Sequence, residues 1–212
     1  SSFHNALNKI EQSVPPIWVM RQAGRYHSHY QKLKEKYSFE ELCRQPELAC
    51  EVTLGPIQDF DFDAAILFSD ILFPLDFLGM GLTFNPGPQF KNQLDFTQLQ
   101  NIEEESFEDY IKFQADSLNL IRTNLPKNKS LIGFVGGPIT LYHFATRYDD
   151  HDPLLLGQFL KTIDNILTLN IDIQLRSDLD LLMIFDTEAN QLTDDDFKSK
   201  VIPFIKKQSE RH

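Results

Sequence analysis

Residues 131–144 read LIGFVGGPITLYHF. A short apolar run ends in Gly-Gly-Pro and is followed at once by residues of helical character, which predicts a buried strand turning tightly into a helix. The same order recurs along the chain. IWVM at 17–20, AAILF at 64–68 and LDLLMIF at 179–185 are further strand-like runs, separated by longer amphipathic stretches. β then α, repeated, predicts an α/β protein with a mainly parallel sheet.

The helices carry their own punctuation. Asp152-Pro153 supplies an N-cap and a first-turn proline ahead of LLLGQFLKTIDNILTLNI, and Pro46-Glu47 opens ELACEVTLGPI in the same way. Thr193 followed by Asp194, Asp195 and Asp196 predicts a last helix near 194–207. The acids of EEESFED (103–109) read as first-turn and solvated charges. Residues 84–105, rich in proline, glycine and amides, predict a long surface loop.

With 212 residues, 42% of them hydrophobic and eighteen of them phenylalanine, the chain has material for one domain with a substantial core. A net charge of −11 argues against nucleic acid and anionic membranes as partners, since both are polyanions. Screening confines that repulsion to about 8 Å, so a basic cleft still acts locally. The first residues lack the basic-then-apolar order of a signal peptide, and no apolar run approaches the ~20 residues of a membrane helix; a soluble, cytoplasmic protein is expected. Cys43 and Cys50, seven apart in one predicted helix, are roughly 10 Å apart and too distant for a disulfide.

Ligands of parallel α/β sheets meet the C-terminal ends of the strands, which directs attention to MRQAGRY (20–26), FSDIL (68–72), GFVGGPITLYHF (133–144) and IFDTEANQ (184–191). Arg21 and Arg25 flank Gly24, whose missing side chain suits a tight turn and close approach of a ligand. Their planar guanidinium groups suit carboxylates; the competing reading is that both pair with acids of this acidic chain. Asp70 brings a carboxylate to the end of a strand, unless it or Ser69 caps the next helix. GFVGGP lacks the Lys-Ser or Lys-Thr of a phosphate loop and fits a tight strand-to-helix turn. His27 and His29 are spaced to share a metal but no second cluster supports them, and nothing near Cys43 suggests an activated thiol.

PIWVMRQAGRY, DAAILFSDIL, the LGM element at 78–80 and LIGFVGGPITL follow in order the characteristic segments of a known family. The chain resembles the uroporphyrinogen decarboxylase family, from about Pro15 onward and more weakly after Leu141. The resemblance implies a (β/α)8 TIM barrel, here an incomplete one of about five β/α units in a single domain over residues 1–212. The family's late Asn-Leu-Gly-His-Gly segment is absent, so a C-terminally truncated chain is expected. It implies cofactor-free removal of the four acetate carboxyls of uroporphyrinogen III, in heme biosynthesis, by a homodimer that binds no nucleic acid or membrane. Arg21 and Arg25 would bind substrate carboxylates, with Gln22, Ala23 and Gly24 lining the same loop and Lys34 replacing a family arginine. Asp70 would be the essential aspartate and Arg21 a second catalytic group. Phe144 stands where the family has tyrosine, Thr187 where it has serine, and Glu188 adds an acid beside a cleft for a polyanion. The alternatives are a truncated, non-catalytic tetrapyrrole-binding or dimerisation module and a cobalamin-linked methyltransferase on the same barrel, though the early cysteines do not suit its zinc site.

Overall fold

A computed structural model describes residues 1–100, 102–147 and 152–212; Asn101, inside the expected 84–105 loop, lies outside the described residues. In chain order the elements are α1 (Ser2–Leu7), α2 (Ser28–Lys34), α3 (Phe39–Arg44), α4 (Pro46–Phe60), β1 (Ala64–Ile66), α5 (Phe73–Leu75), β2 (Leu82–Phe84), β3 (Pro88–Phe90) and α6 (Phe96–Gln100). They continue with α7 (Phe107–Asn124), β4 (Ser130–Gly136), α8 (Pro138–Thr146), α9 (Pro153–Leu175), β5 (Leu181–Phe185), α10 (Asp194–Lys200) and α11 (Ile202–Arg211). The chain forms two compact units. Unit 1 comprises Ser1–Asp70, Ile111–Phe134 and Ile173–Met183, and unit 2 comprises Ile71–Tyr110, Val135–Asp172 and Ile184–His212.

Three of the four apolar runs become strands of one sheet in the order β1-β4-β5. β1 and β4 run parallel, with Ala64 opposite Ser130 and Ile66 opposite Ile132. Every residue of β4 is buried, which accounts for its continuous apolar sequence.

The fourth run, IWVM at 17–20, forms no strand. It passes beside β1 in extended form, with Ile17 N–H donating to Asp63 Oδ2 at 2.7 Å and Asp63 N–H donating to the Ile17 carbonyl at 2.8 Å. Gln22 Nε2 then donates to the Ala64 carbonyl at 3.1 Å. One backbone bond and two side-chain bonds hold the run there, and no ladder builds. Ile17 and Met20 remain more than half exposed, at 57% and 54%.

Three further expectations change. The last helix is broken into α10 and α11 at Val201, because Pro203 has no N–H to offer the preceding turn and its ring obstructs helix continuation. Cys43 and Cys50 lie on different helices, since Gln45 before Pro46 adopts an extended conformation; both thiols are free and buried. The 84–105 stretch holds part of the antiparallel β2–β3 hairpin, in which Leu82 faces Phe90, and also α6.

In unit 1 a core of Tyr30, Leu33, Leu42 and Val52 gathers Ala23, Tyr37, Leu48 and Phe68 around it. In unit 2 Ile139, Ala189 and Val201 pack with Leu160, Leu192 and Phe197. No helix among the described residues is long and apolar enough to cross a membrane.

A Cβ on Gly137, between β4 and α8, would lie 2.1 Å from the Cβ of Asp186, whereas one on Gly157 in α9 would meet nothing within 4 Å. Urea unfolding is expected to show Gly137→Ala destabilised by about 3 kcal/mol and Gly157→Ala stabilised by up to about 1 kcal/mol. Asp63 is pushed upward by burial, but the Ser2 hydroxyl, the Ile17 N–H and the Lys129 charge together outweigh that and hold it below its ordinary value. A depressed carboxylate contributes stability above its unfolded pKa of about 3.9 and loses it as pH falls through the lower folded value. Trp18, the single tryptophan, reports on the segment that Asp63 holds. Its emission is expected to shift to the red below about pH 4, and Asp63→Asn is expected to produce the shift at neutral pH.

Candidate active site

The loop MRQAGRY is fastened at both ends by its own polar groups. Gln22 is 2% exposed, and beyond its bond to Ala64 its side-chain oxygen accepts from Val19 N–H at 3.4 Å. Tyr26 Oη donates to the Gln22 carbonyl at 2.5 Å, His27 N–H donates to the Gly24 carbonyl at 2.8 Å, and Gln31 Nε2 donates to the Arg25 carbonyl. Gln22 thus holds the loop from within. Gly24 is not in the left-handed region, and a Cβ there would meet only ordinary contacts, 3.4 Å from the Arg21 carbonyl oxygen. The turn itself does not require glycine.

With its backbone spoken for, the loop leaves Arg21 and Arg25 exposed, and neither guanidinium forms an ion pair among the described residues. The reading in which both are absorbed by neighbouring acids is not what the fold does. Lys34, also exposed, closes α2, where a cation suits the helix dipole.

Asp70 follows the end of β1 and belongs to unit 1 with these cations. The N-cap position of α5 is Leu72, whose side chain makes no capping bond. A chain of electrostatic neighbours joins the arginine loop to it. Tyr30 is pushed up to about 12 by burial and by Cys43, while the Arg25 charge acts in the opposite sense. Burial drives the Cys43 thiol well above its ordinary value, and the Asp70 carboxylate adds to the rise. At neutral pH both groups stay protonated, and Cys43 is no nucleophile. Packing agrees, since Ala23 of the loop and Phe68 of the strand end rest on the same core.

The strand end is set by polar residues that the motif reading passed over. Thr53 Oγ1 accepts from Phe68 N–H at 3.0 Å, and Gln114 Nε2 donates to Ser69 Oγ at 2.9 Å. Gln174 Nε2 donates to Gln114 Oε1 at 3.1 Å and to the Phe134 carbonyl at 2.8 Å, while its oxygen accepts from Phe134 N–H at 2.9 Å. This buried network fixes the backbone that presents Asp70. The available signal was weak: amides recurring on otherwise amphipathic helices.

In unit 2, Asp186 at the end of β5 reaches the start of α8 and accepts from Thr140 N–H at 2.7 Å. Thr140 Oγ1 in return accepts from Glu188 N–H at 3.1 Å. The helix N-terminus after Gly-Gly-Pro therefore holds the chain's own carboxylate. Thr187 is exposed at the head of the short turn Thr187–Gln191, and Phe144 is half-buried on α8. Glu188 lies 4.0 Å from His143. Neither Phe144 nor Thr187 is among the residues lining a cavity of about 250 Å³ in this unit, which is formed by residues including Ile139, Tyr142, His143, Leu156 and Lys200. His27 and His29 pair with Asp59 and Glu51 of α4.

Comparison with known proteins bears on the whole chain. Residues 1–212 match the family model described as uroporphyrinogen decarboxylase (URO-D). A uroporphyrinogen decarboxylase of Ruthia magnifica subsp. Calyptogena magnifica is 35% identical over 219 residues, covering 96% of this chain and 63% of that protein. One from Legionella pneumophila (strain Lens) is 37% identical over 225 residues, covering 97% and 63%. The chain thus spans about 63% of the length of these curated relatives. Among solved structures a methyltransferase from Methanosarcina mazei superposes with a TM-score of 0.73 at 15% identity, covering 99% of this chain and 65% of that one, which shows a shared α/β fold with a parallel sheet. A match along its entire length places the chain in the uroporphyrinogen decarboxylase family.

Proposed function

We propose that the protein is a carboxy-lyase that converts uroporphyrinogen III to coproporphyrinogen III in heme biosynthesis, on an incomplete barrel of about five β/α units forming one domain. The observation that carries this reading is the pair Arg21 and Arg25. In a chain with 31 acidic and 20 basic side chains they stand exposed and, among the described residues, without ion pairs on a fastened loop. A polycarboxylate is the ligand they suit. The relatives named above bear the name of the same decarboxylase.

The chemistry needs no cofactor. Protonation of a pyrrole carbon makes the ring an electron sink. The acetate C–CO2 bond then breaks, its electron pair flows toward the ring, a proton is delivered to the exocyclic carbon, and loss of the proton first added to the ring carbon restores the pyrrole with its new methyl group. Asp70 accepts hydrogen bonds from pyrrole N–H groups and offsets the transient positive charge, while Arg21 and Arg25 anchor side-chain carboxylates. Arg21 is also the proposed second catalytic group, as a proton donor. Gln22, Ala23 and Gly24 shape the loop, and Lys34 adds charge. A cytoplasmic homodimer is part of the proposal.

A second reading is a non-catalytic tetrapyrrole-binding or dimerisation module. The observation favouring it is the apolar strip of Val14, Ile17, Val19 and Met20, exposed at 67%, 57%, 44% and 54%. Exposed apolar edges invite pairing with another chain.

Incubation of the purified chain with enzymatically generated uroporphyrinogen III, with products resolved by carboxylate number, separates the two. The lyase reading expects intermediates on the way to the four-carboxylate product. Asp70→Asn is expected to lower kcat by about 10²–10³, as for loss of a charge-stabilising group, and Arg21→Lys to raise KM several-fold by removing the planar fork. No turnover under conditions where a full-length relative is active would end the catalytic reading for this chain.

A further inference from the structure

The residues just after the arginines carry two imidazoles that the proposed chemistry leaves without a task. His27 is 2% exposed and starts α2, and its Nε2 lies 2.7 Å from Asp59 Oδ2 on α4. His29 Nε2 lies 3.6 Å from Glu51 Oε1 on the same helix. The two rings are 5.8 Å apart, and Tyr26 and Phe60 flank His27 at 6.3 and 5.3 Å.

This arrangement carries two local costs. Gly55 sits inside α4, where glycine is about 1 kcal/mol worse than alanine. A Cβ there would come within 2.6 Å of His29 Cδ2 and 3.2 Å of His27 Cε1, so the imidazoles occupy the space that a side chain would fill. His27 Nδ1 is moreover buried without a hydrogen-bond partner, which is unfavourable for a polar nitrogen. An apolar residue at position 27 and an alanine at 55 would remove both costs. The fold keeps them at a point two residues from Arg25.

We propose that His27, locked by Asp59, is a positioning residue that fixes the presentation of Arg21 and Arg25. Its backbone N–H closes the turn on the Gly24 carbonyl, so the lock on its ring is transmitted directly to the loop. Gln22 holds the near end of the loop to Ala64, and His27 holds the far end to α4. The guanidinium groups then start from fixed origins, and less ordering is needed when a polyanion binds. The inference rests on the reading of Arg21 and Arg25 as carboxylate binders.

The test compares the 212-residue chain with Asp59→Asn, Gly55→Ala, His27→Leu and His27→Gln. Asp59 has a half-exposed side chain, so removing its charge spares the core. Limited trypsin digestion reads the loop itself, since the enzyme cleaves after Arg21 and Arg25. Their cleavage relative to cleavage after Lys206 and Lys207 in α11 is expected to rise roughly tenfold in the first three variants, and the Kd for uroporphyrin, an eight-carboxylate probe, by a similar factor. His27→Gln keeps a donor toward Asp59 and is expected to restore both. A cleavage ratio unchanged in Asp59→Asn, or an acceleration matched in α11, overturns the proposal. A wild-type chain with a responsive loop and no affinity for uroporphyrin would support the anchoring and remove the carboxylate reading instead.

Discussion

Backbone N–H and C=O groups of buried strands and of helix first turns must find partners, and in this protein several of those partners are side chains. Gln174 serves Phe134, Asp180 Oδ2 accepts from Leu131 N–H at 2.9 Å, Gln22 serves Ala64, and Asp186 serves Thr140. An unpaired buried amide costs about 1–3 kcal/mol, so each of these residues is fixed as firmly as the strand it completes. The candidate site inherits its geometry from that requirement. Asp70 follows a strand end held by Thr53 and Gln114, and the arginine loop is held by the glutamine that bonds to β1.

Much of the scaffold was legible because burial writes itself into sequence. β4 is buried along its whole length and reads as an unbroken apolar run, and α9 begins at the proline that marked it. IWVM at 17–20 has the same composition, yet beside it a single backbone bond from Asp63 is supplemented by the Asp63 carboxylate and the Gln22 amide, and no strand forms. Composition does not distinguish those outcomes. The split of the last helix at Val201 was implicit in Pro203 and was outweighed by the strength of the Thr193 start signal.

The site divides along similar lines. Arg21, Arg25 and Asp70 were legible from motif and position, because they follow apolar runs and carry chemistry that a core does not need. Gln114 and Gln174 were not, since an amide on an amphipathic helix reads as solvent face until the opposite element is known. The histidines drew notice as a pair sharing a metal, whereas their partners lie on α4, 32 residues along the chain from His27 to Asp59. Gly55 was the local clue, a helix breaker inside an otherwise well-formed helical pattern.

The carboxylate of Asp186 at the head of α8 also has a consequence for anion selectivity. A helix N-terminus preceded by two glycines is a shape that captures phosphate or sulfate. Here the occupant is tethered, and a group held in place by the fold competes at an effective concentration that no dissolved ion approaches. The cradle arrives already loaded. The place a dissolved anion would take at this helix end is filled by Asp186, and Gly137 makes the room for it.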